Sequence, residues 1–263
     1  MPTYRHGRHE FGQNFLTDES VIDAIVGLVS RTEGPIVEIG PGDGALTLPL
    51  QTLGRPITAV ELDRRQARSL SGRVDSRTTT VVHEDFLRYR LPPVPHTIVG
   101  NLPFHLTTAM LRRIMHTERW STAVVVTQWE VARRRAGVGG ATMMTAQWWP
   151  WYEFSLERRV PGAAFTPRPD VDGGLMVVRR RPEPLLAPAA RHAYQGFVHA
   201  VFTGRGHGLR QILPRLAPPH RAGAVLRWLA AQRLGGTPLP RDLSARQWTE
   251  LFTIIHRLPP GNG

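Results

Sequence analysis

The chain has 263 residues, 41% of them apolar and 21% charged, enough for a buried core organised as one large domain plus a smaller one. All 33 basic residues are arginine and they outnumber 21 acidic ones, a net charge of +12 that favours polyanionic partners, nucleic acid first among them. The absence of cysteine excludes disulfides, thiolate nucleophiles and iron–sulfur sites. No apolar run reaches the roughly eighteen residues of a membrane span, and the basic N-terminus lacks the apolar stretch of a secretory signal, so the expectation is a soluble cytoplasmic protein.

In chain order, Thr17 and Asp18 offer an N-cap to a helix carrying Val21, Ile22, Ile25, Val26 and Val29 on one face. Strands are predicted at 36–39, 57–61, 79–83, 97–99 and 123–127, alternating with amphipathic stretches such as 45–52. This is the pattern of a mostly parallel α/β sheet. Two further strands, 154–160 and 175–178, lie close enough in sequence to form an antiparallel edge. The run 179–184, Arg-Arg-Arg-Pro-Glu-Pro, reads as a linker between a domain over 1–181 and a helical one over 182–263. The last predicted helix opens with a Ser244-x-x-Gln247 capping box and carries the stripe Trp248, Leu251, Phe252, Ile255.

The first strand runs into Glu38-Ile39-Gly40-Pro41-Gly42-Asp43-Gly44. Alternate glycines let a backbone turn closely around a ligand. The spacing differs from the G-x-G-x-x-G of dinucleotide sites, and alone it also describes a tight structural turn. The second strand ends in Glu61, where a carboxylate can accept both hydroxyls of a ribose. After the third comes Asp85, able to accept from the exocyclic amine of an adenine. Either acid alone reads as a solvated loop residue; in register with the glycine loop they point to an adenine nucleoside. With no P-loop and no lysine to serve phosphates, S-adenosyl-L-methionine fits.

The fourth strand is followed by Asn101-Leu102-Pro103-Phe104. The exocyclic amine of a base is a poor nucleophile because its lone pair is delocalised. A side-chain oxygen and a backbone carbonyl that accept its two N–H bonds help to free that pair. Pro103 holds the carbonyl in place, and Phe104 offers a platform for a flipped base. A sulfonium methyl group is already activated, so neither a metal nor a strong base is needed. The competing reading is a plain turn, since Asn and Pro punctuate loops. Arg112-Arg113 and Arg133-Arg134-Arg135 are candidate phosphate contacts. The 11 histidines form no metal-binding spacing, and Trp148, Trp149 and Trp151 read as packing ahead of RNA stacking.

Four motifs occur in order: Gly12-Gln13-Asn14-Phe15-Leu16, Val37-Glu38-Ile39-Gly40-Pro41-Gly42, Val60-Glu61-Leu62-Asp63 and Asn101-Leu102-Pro103-Phe104. Together they resemble the rRNA adenine-N6 dimethyltransferase superfamily, over nearly all of the first 180 residues. The stretches that begin at Gln128-Trp129-Glu130 and Trp148-Trp149-Pro150 look like its erythromycin-resistance (Erm) branch more than the housekeeping small-subunit enzymes. The resemblance implies a Rossmann-like class I methyltransferase fold, with a mostly parallel seven-stranded sheet and a small C-terminal helical domain. It also implies S-adenosyl-L-methionine as cofactor, and N6-methylation of one adenine in the peptidyl transferase region of 23S rRNA. That modification blocks macrolides, lincosamides and streptogramin B.

By the same resemblance, Asn14 and Leu16 close over the cofactor, Gly40 contacts its methionine end, Glu61 its ribose and Asp85 its adenine. Asn101 and Leu102 stand between cofactor and target base, Phe104 stacks on that base, and Phe165 forms the other side of the base pocket. Many relatives have Tyr where this chain has Phe104, so stacking carries over and a phenolic hydroxyl does not. The expected state is a monomer without metal or membrane. The alternatives are a 16S rRNA dimethyladenosine transferase, a DNA adenine-N6 methyltransferase, and a non-catalytic RNA-binding factor on the same fold. Asn101 and the small helical tail argue against the DNA enzyme.

Overall fold

The structure, a computed structural model, describes residues 14–232 and 234–256; Gly12 and Gln13 of the N-terminal motif lie outside them. The elements run β1 (Phe15–Leu16), α1 (Glu19–Val29), β2 (Ile36–Ile39), α2 (Thr47–Leu50), β3 (Ile57–Glu61), α3 (Arg64–Ser71) and β4 (Thr79–His83). Next come β5 (His96–Asn101), α4 (Thr107–His116), β6 (Trp120–Gln128), α5 (Trp129–Arg135), α6 (Met143–Trp148), β7 (Tyr152–Val160), β8 (Phe165–Thr166) and β9 (Gly173–Arg180). The chain closes with α7 (Arg191–Thr203), α8 (Leu209–Leu216), α9 (Pro219–Ala231) and α10 (Ala245–His256).

Seven strands form one sheet in the order β4-β3-β2-β5-β6-β9-β7. The pairs β3/β4, β2/β3, β2/β5 and β5/β6 are parallel, and β9 joins β6 antiparallel. The predicted bounds of β2, β3 and β4 are those observed, because short β-branched runs bounded by turn residues carry a strong local signal. From β2 the chain builds outward to β3 and β4 on one side and then returns to place β5 on the other. The order therefore reverses between β2 and β5, and their C-terminal ends open a crevice of the kind that holds ligands in doubly wound sheets. Asp18 caps α1 as expected, its carboxylate accepting the Val21 N–H at 3.1 Å. Val21, Ile25 and Val29 of that helix are buried in a core shared with Ile36, Val99 and Val124.

Several expectations need correction. The helix expected over 45–52 is a single α-turn, α2, continued by a 3-10 turn at Gln51–Leu53. Arg179 and Arg180 are not linker but the end of β9. The Arg180 guanidinium lies over the Trp120 ring at 5.2 Å and donates to the Trp120 carbonyl at 2.9 Å, which holds the strand in the sheet. The chain also divides differently from a single cut after residue 181. One unit holds residues 14–132 with Ser155–Arg180; the other holds Arg133–Phe154 with residues 181–256. The excursion Arg133–Phe154 sides with the C-terminal helices because its aromatic residues pack there. Trp148 and Trp151 are buried, Trp151 meets Tyr194 edge to face at 5.6 Å, and the Tyr194 hydroxyl donates to the Ala146 carbonyl at 2.9 Å. In α10, the Ser244–Gln247 capping box forms and Trp248, Leu251, Phe252 and Ile255 are buried.

Candidate active site

The crevice at the sheet reversal is a cleft that opens to solvent. Its wall includes six of the residues singled out in the sequence: Asn14, Leu16, Gly40, Asn101, Leu102 and Phe104. Gly40 has φ +59°, and a side chain there would meet nothing within 4 Å, so the glycine leaves open space at the end of β2. Gly100 serves a close approach. A Cβ at that position would lie 2.7 Å from the Ile39 carbonyl oxygen, and only glycine lets β5 come this near to β2. The register pairs Ile39 with Gly100, which sets Asn101 beside the glycine loop.

Asn101 donates from Nδ2 to the Asn14 carbonyl at 2.6 Å. A carbonyl can only accept, so this bond decides which end of the amide faces Asn14. The Oδ1 is left as an acceptor that meets no donor among the described residues. The Leu102 N–H donates to Val126 at 2.9 Å, anchoring the turn to β6. The Pro103 carbonyl accepts from the Leu106 N–H at 2.9 Å and the Thr107 hydroxyl at 3.3 Å. The Leu102 carbonyl meets no donor among the described residues, so two acceptors stand unengaged in the turn Asn101-Leu102-Pro103-Phe104.

Pairing far along the chain holds Asn14 in place. β1 and β8 form a two-stranded antiparallel ladder, Phe15 opposite Thr166 and Leu16 opposite Phe165. The Thr17 N–H and hydroxyl both donate to the Ala164 carbonyl, at 2.8 and 3.2 Å. The Phe104 and Phe165 rings lie 6.2 Å apart at 77°, edge to face. No parallel slot separates them. Phe165 is buried and does not line the cleft, so it braces Phe104 where a facing wall was expected.

The Glu61 and Asp85 carboxylates each accept backbone amides. Glu61 is buried, with Oε2 accepting the Gly42 N–H at 2.9 Å and Oε1 the Asp63 N–H at 2.8 Å. Burial pushes its carboxyl above the usual range, and those two amides oppose the shift. Asp85 accepts the Leu87 N–H at 2.9 Å within its own turn. Glu38, a site residue not expected from the sequence, lines the cleft together with Phe15 and Asp43. It is buried and accepts the Thr47 hydroxyl at 2.6 Å. Desolvation, aided by the nearby Glu61 and Asp43 charges, raises its carboxyl to about 8. Its signal in the sequence was an acid inside the aliphatic strand Ile-Val-Glu-Ile.

The candidate phosphate contacts divide by exposure. Arg112 and Arg134 are exposed. Arg113, Arg133 and Arg135 are half-buried; Arg113 donates to the Tyr89 carbonyl at 3.0 Å, Arg133 to the Val138 carbonyl at 3.2 Å and Arg135 to the Thr142 hydroxyl at 2.9 Å.

A family model described as ribosomal RNA adenine dimethylase matches residues 5–256. The chain belongs to the ribosomal RNA adenine dimethylase family. Like other members it is an rRNA adenine N6-methyltransferase. It is 56% identical over 215 residues to the rRNA adenine N-6-methyltransferase of Corynebacterium diphtheriae, covering 82% of this chain and 85% of that protein. It is 48% identical over 253 residues to the mycinamicin-resistance protein MyrB of Micromonospora griseorubida, covering 96% and 80%. The chain also superposes on the crystal structure of the 23S rRNA methyltransferase ErmE with a TM-score of 0.83 at 35% identity, covering 92% of this chain and 99% of that one. Its sheet and helices are thus those of a methyltransferase fold.

Proposed function

We propose that the protein transfers a methyl group from S-adenosyl-L-methionine to N6 of a single adenine in the peptidyl transferase region of 23S rRNA, acting as a cytoplasmic monomer. The modification confers resistance to macrolides, lincosamides and streptogramin B. The observation that carries this reading is the pair of unengaged acceptors, Asn101 Oδ1 and the Leu102 carbonyl, on the wall of the glycine cleft. Two acceptors so placed receive both N–H bonds of an adenine N6 amine and draw its lone pair out of the ring. Phe104 stacks on the base and Phe165 supports Phe104 edge-on.

The cleft suits the cofactor in shape and charge. Open space at Gly40 admits its methionine end, and Asp43 on the same wall is an acid of the sign that a sulfonium and an ammonium require, while the protonated Glu38 adds a polar, uncharged lining. When bound, the cofactor supplies an electrophilic methyl group. Each Glu61 oxygen accepts one amide bond and keeps a second lone pair for a ribose hydroxyl, while Asp85 serves the adenine amine. Arg112 and Arg134 contact RNA phosphates. The likeness to ErmE and MyrB favours 23S over 16S rRNA as substrate.

The test is methyl transfer from labelled cofactor to protein-free 23S and 16S rRNA, paired with expression in a macrolide-sensitive bacterium. Methylated 23S rRNA and a resistant host are expected. Asn101→Ala should abolish both while leaving cofactor affinity near that of the wild type. Label confined to 16S rRNA, with a sensitive host, would overturn the substrate. Full activity of a stable Asn101→Ala protein would overturn the role of the motif.

A further inference from the structure

A short loop, 167–172, leads from β8 to β9 and so springs from the strand that carries Phe165. Pro167 and Pro169 restrict its backbone. Asp172 clamps its far end: Oδ1 accepts the Gly162 N–H at 2.8 Å, Oδ2 the Arg159 Nε–H at 2.7 Å, and the carbonyl the Trp129 N–H at 2.8 Å. The Gly162 amide, joined by the Arg159 and Arg168 charges, holds the Asp172 carboxyl below its usual range, so the clamp stays ionised at neutral pH. From this braced turn Val171 stands 47% exposed, the most exposed large hydrophobic residue among those described. A single exposed valine on a surface is ordinary. This one is held by a preorganised turn, and the strand before it carries the ring that meets Phe104 at 6.2 Å.

We propose that Val171 is an apolar wedge for the RNA: it enters the base stack beside the target adenine and occupies the gap left when that base turns out onto Phe104. The inference rests on the reading of the site as an adenine N6-methyltransferase centre. A base drawn out of its stack exposes its neighbours, and an apolar side chain inserted there offsets part of the unstacking cost. A wedge works only if its position is set before binding, and the two prolines and the Asp172 clamp supply that rigidity. The +12 charge of the chain makes RNA the partner in keeping with this surface.

The test compares wild type, Val171→Leu, Val171→Ala and Val171→Asp in the full chain. The substrates are 23S and 16S rRNA fragments, natural or with 2-aminopurine in place of the target adenine. The fluorescence of 2-aminopurine reports base opening, which a merely structural residue would not control. Val171→Leu should behave as wild type. Val171→Ala should lower the fluorescence rise and kcat about tenfold, and Val171→Asp further, with cofactor affinity and melting temperature unchanged. Base opening and turnover at wild-type levels in Val171→Asp would overturn the wedge. On whichever rRNA the wild type methylates, this comparison decides the wedge separately from the substrate. Methylation of neither rRNA would overturn both readings.

Discussion

An ionisable side chain inside an aliphatic strand must be matched by donors or remain neutral, and the donors Glu38 meets come from a single residue, Thr47. With its carboxyl raised from 4.5 to about 8 by desolvation and by the neighbouring Glu61 and Asp43, it keeps a proton at neutral pH that the unfolded chain has released. Between those two values the unfolded state binds fewer protons, so stability falls as pH rises and levels off above about 8. Relative to Glu38→Gln, which keeps the shape and cannot ionise, the wild type should lose about 1.4 kcal/mol per pH unit over this window. Denaturant midpoints measured from pH 5 to pH 8 check this, and parallel curves for the two proteins would contradict it. The motif around Glu38 was legible as a glycine loop. The residue's own role was not, because burial is a property of the assembled sheet and not of the four letters Ile-Val-Glu-Ile.

At the scale of elements, the parallel strands were legible for a local reason. Buried on both faces, β2 and β3 read as short aliphatic runs closed by turn residues. The ladder between β1 and β8 has no such signature. Two residues pair with two others 149 to 151 positions away, and a two-residue strand carries no period. The edge-to-face meeting of Phe104 with Phe165 was hidden for the same reason, as was the glycine contact between β5 and β2. That close approach yields a prediction. Gly100→Ala places a methyl group 2.7 Å from the Ile39 carbonyl oxygen, and the parallel pair must spread to admit it. The cost should be about 1–3 kcal/mol of stability. Because Asn101 moves with the strand, methyl transfer should fall by more than the loss of folded protein explains. Calorimetry beside single-turnover kinetics separates the two effects, and proportional losses would mean that Asn101 keeps its place.

For the whole molecule, the net charge of +12 sets a general attraction to RNA, and the exposure of individual arginines sets where it acts. Arg134→Ala should flatten the salt dependence of rRNA binding by about 0.7–0.9 log units for each phosphate that the guanidinium neutralises. Arg133→Ala removes a donor to the Val138 carbonyl and should lower the melting temperature, with little change in that slope. Binding titrations over a range of salt concentrations distinguish them, and identical slopes for wild type and Arg134→Ala would remove this residue from the RNA interface. The pairing of the N-terminal strand also has a consequence in time. Thr17 meets Ala164 147 residues later, and the carbonyl that orients Asn101 sits three residues before Thr17. At a synthesis rate of about 5–20 residues per second, the N-terminal segment waits on the order of ten seconds for its partner. Until residues 164–166 emerge, the ladder that flanks Asn14 cannot form, so the geometry around the Asn101 amide is completed late in synthesis rather than as its own strand is made.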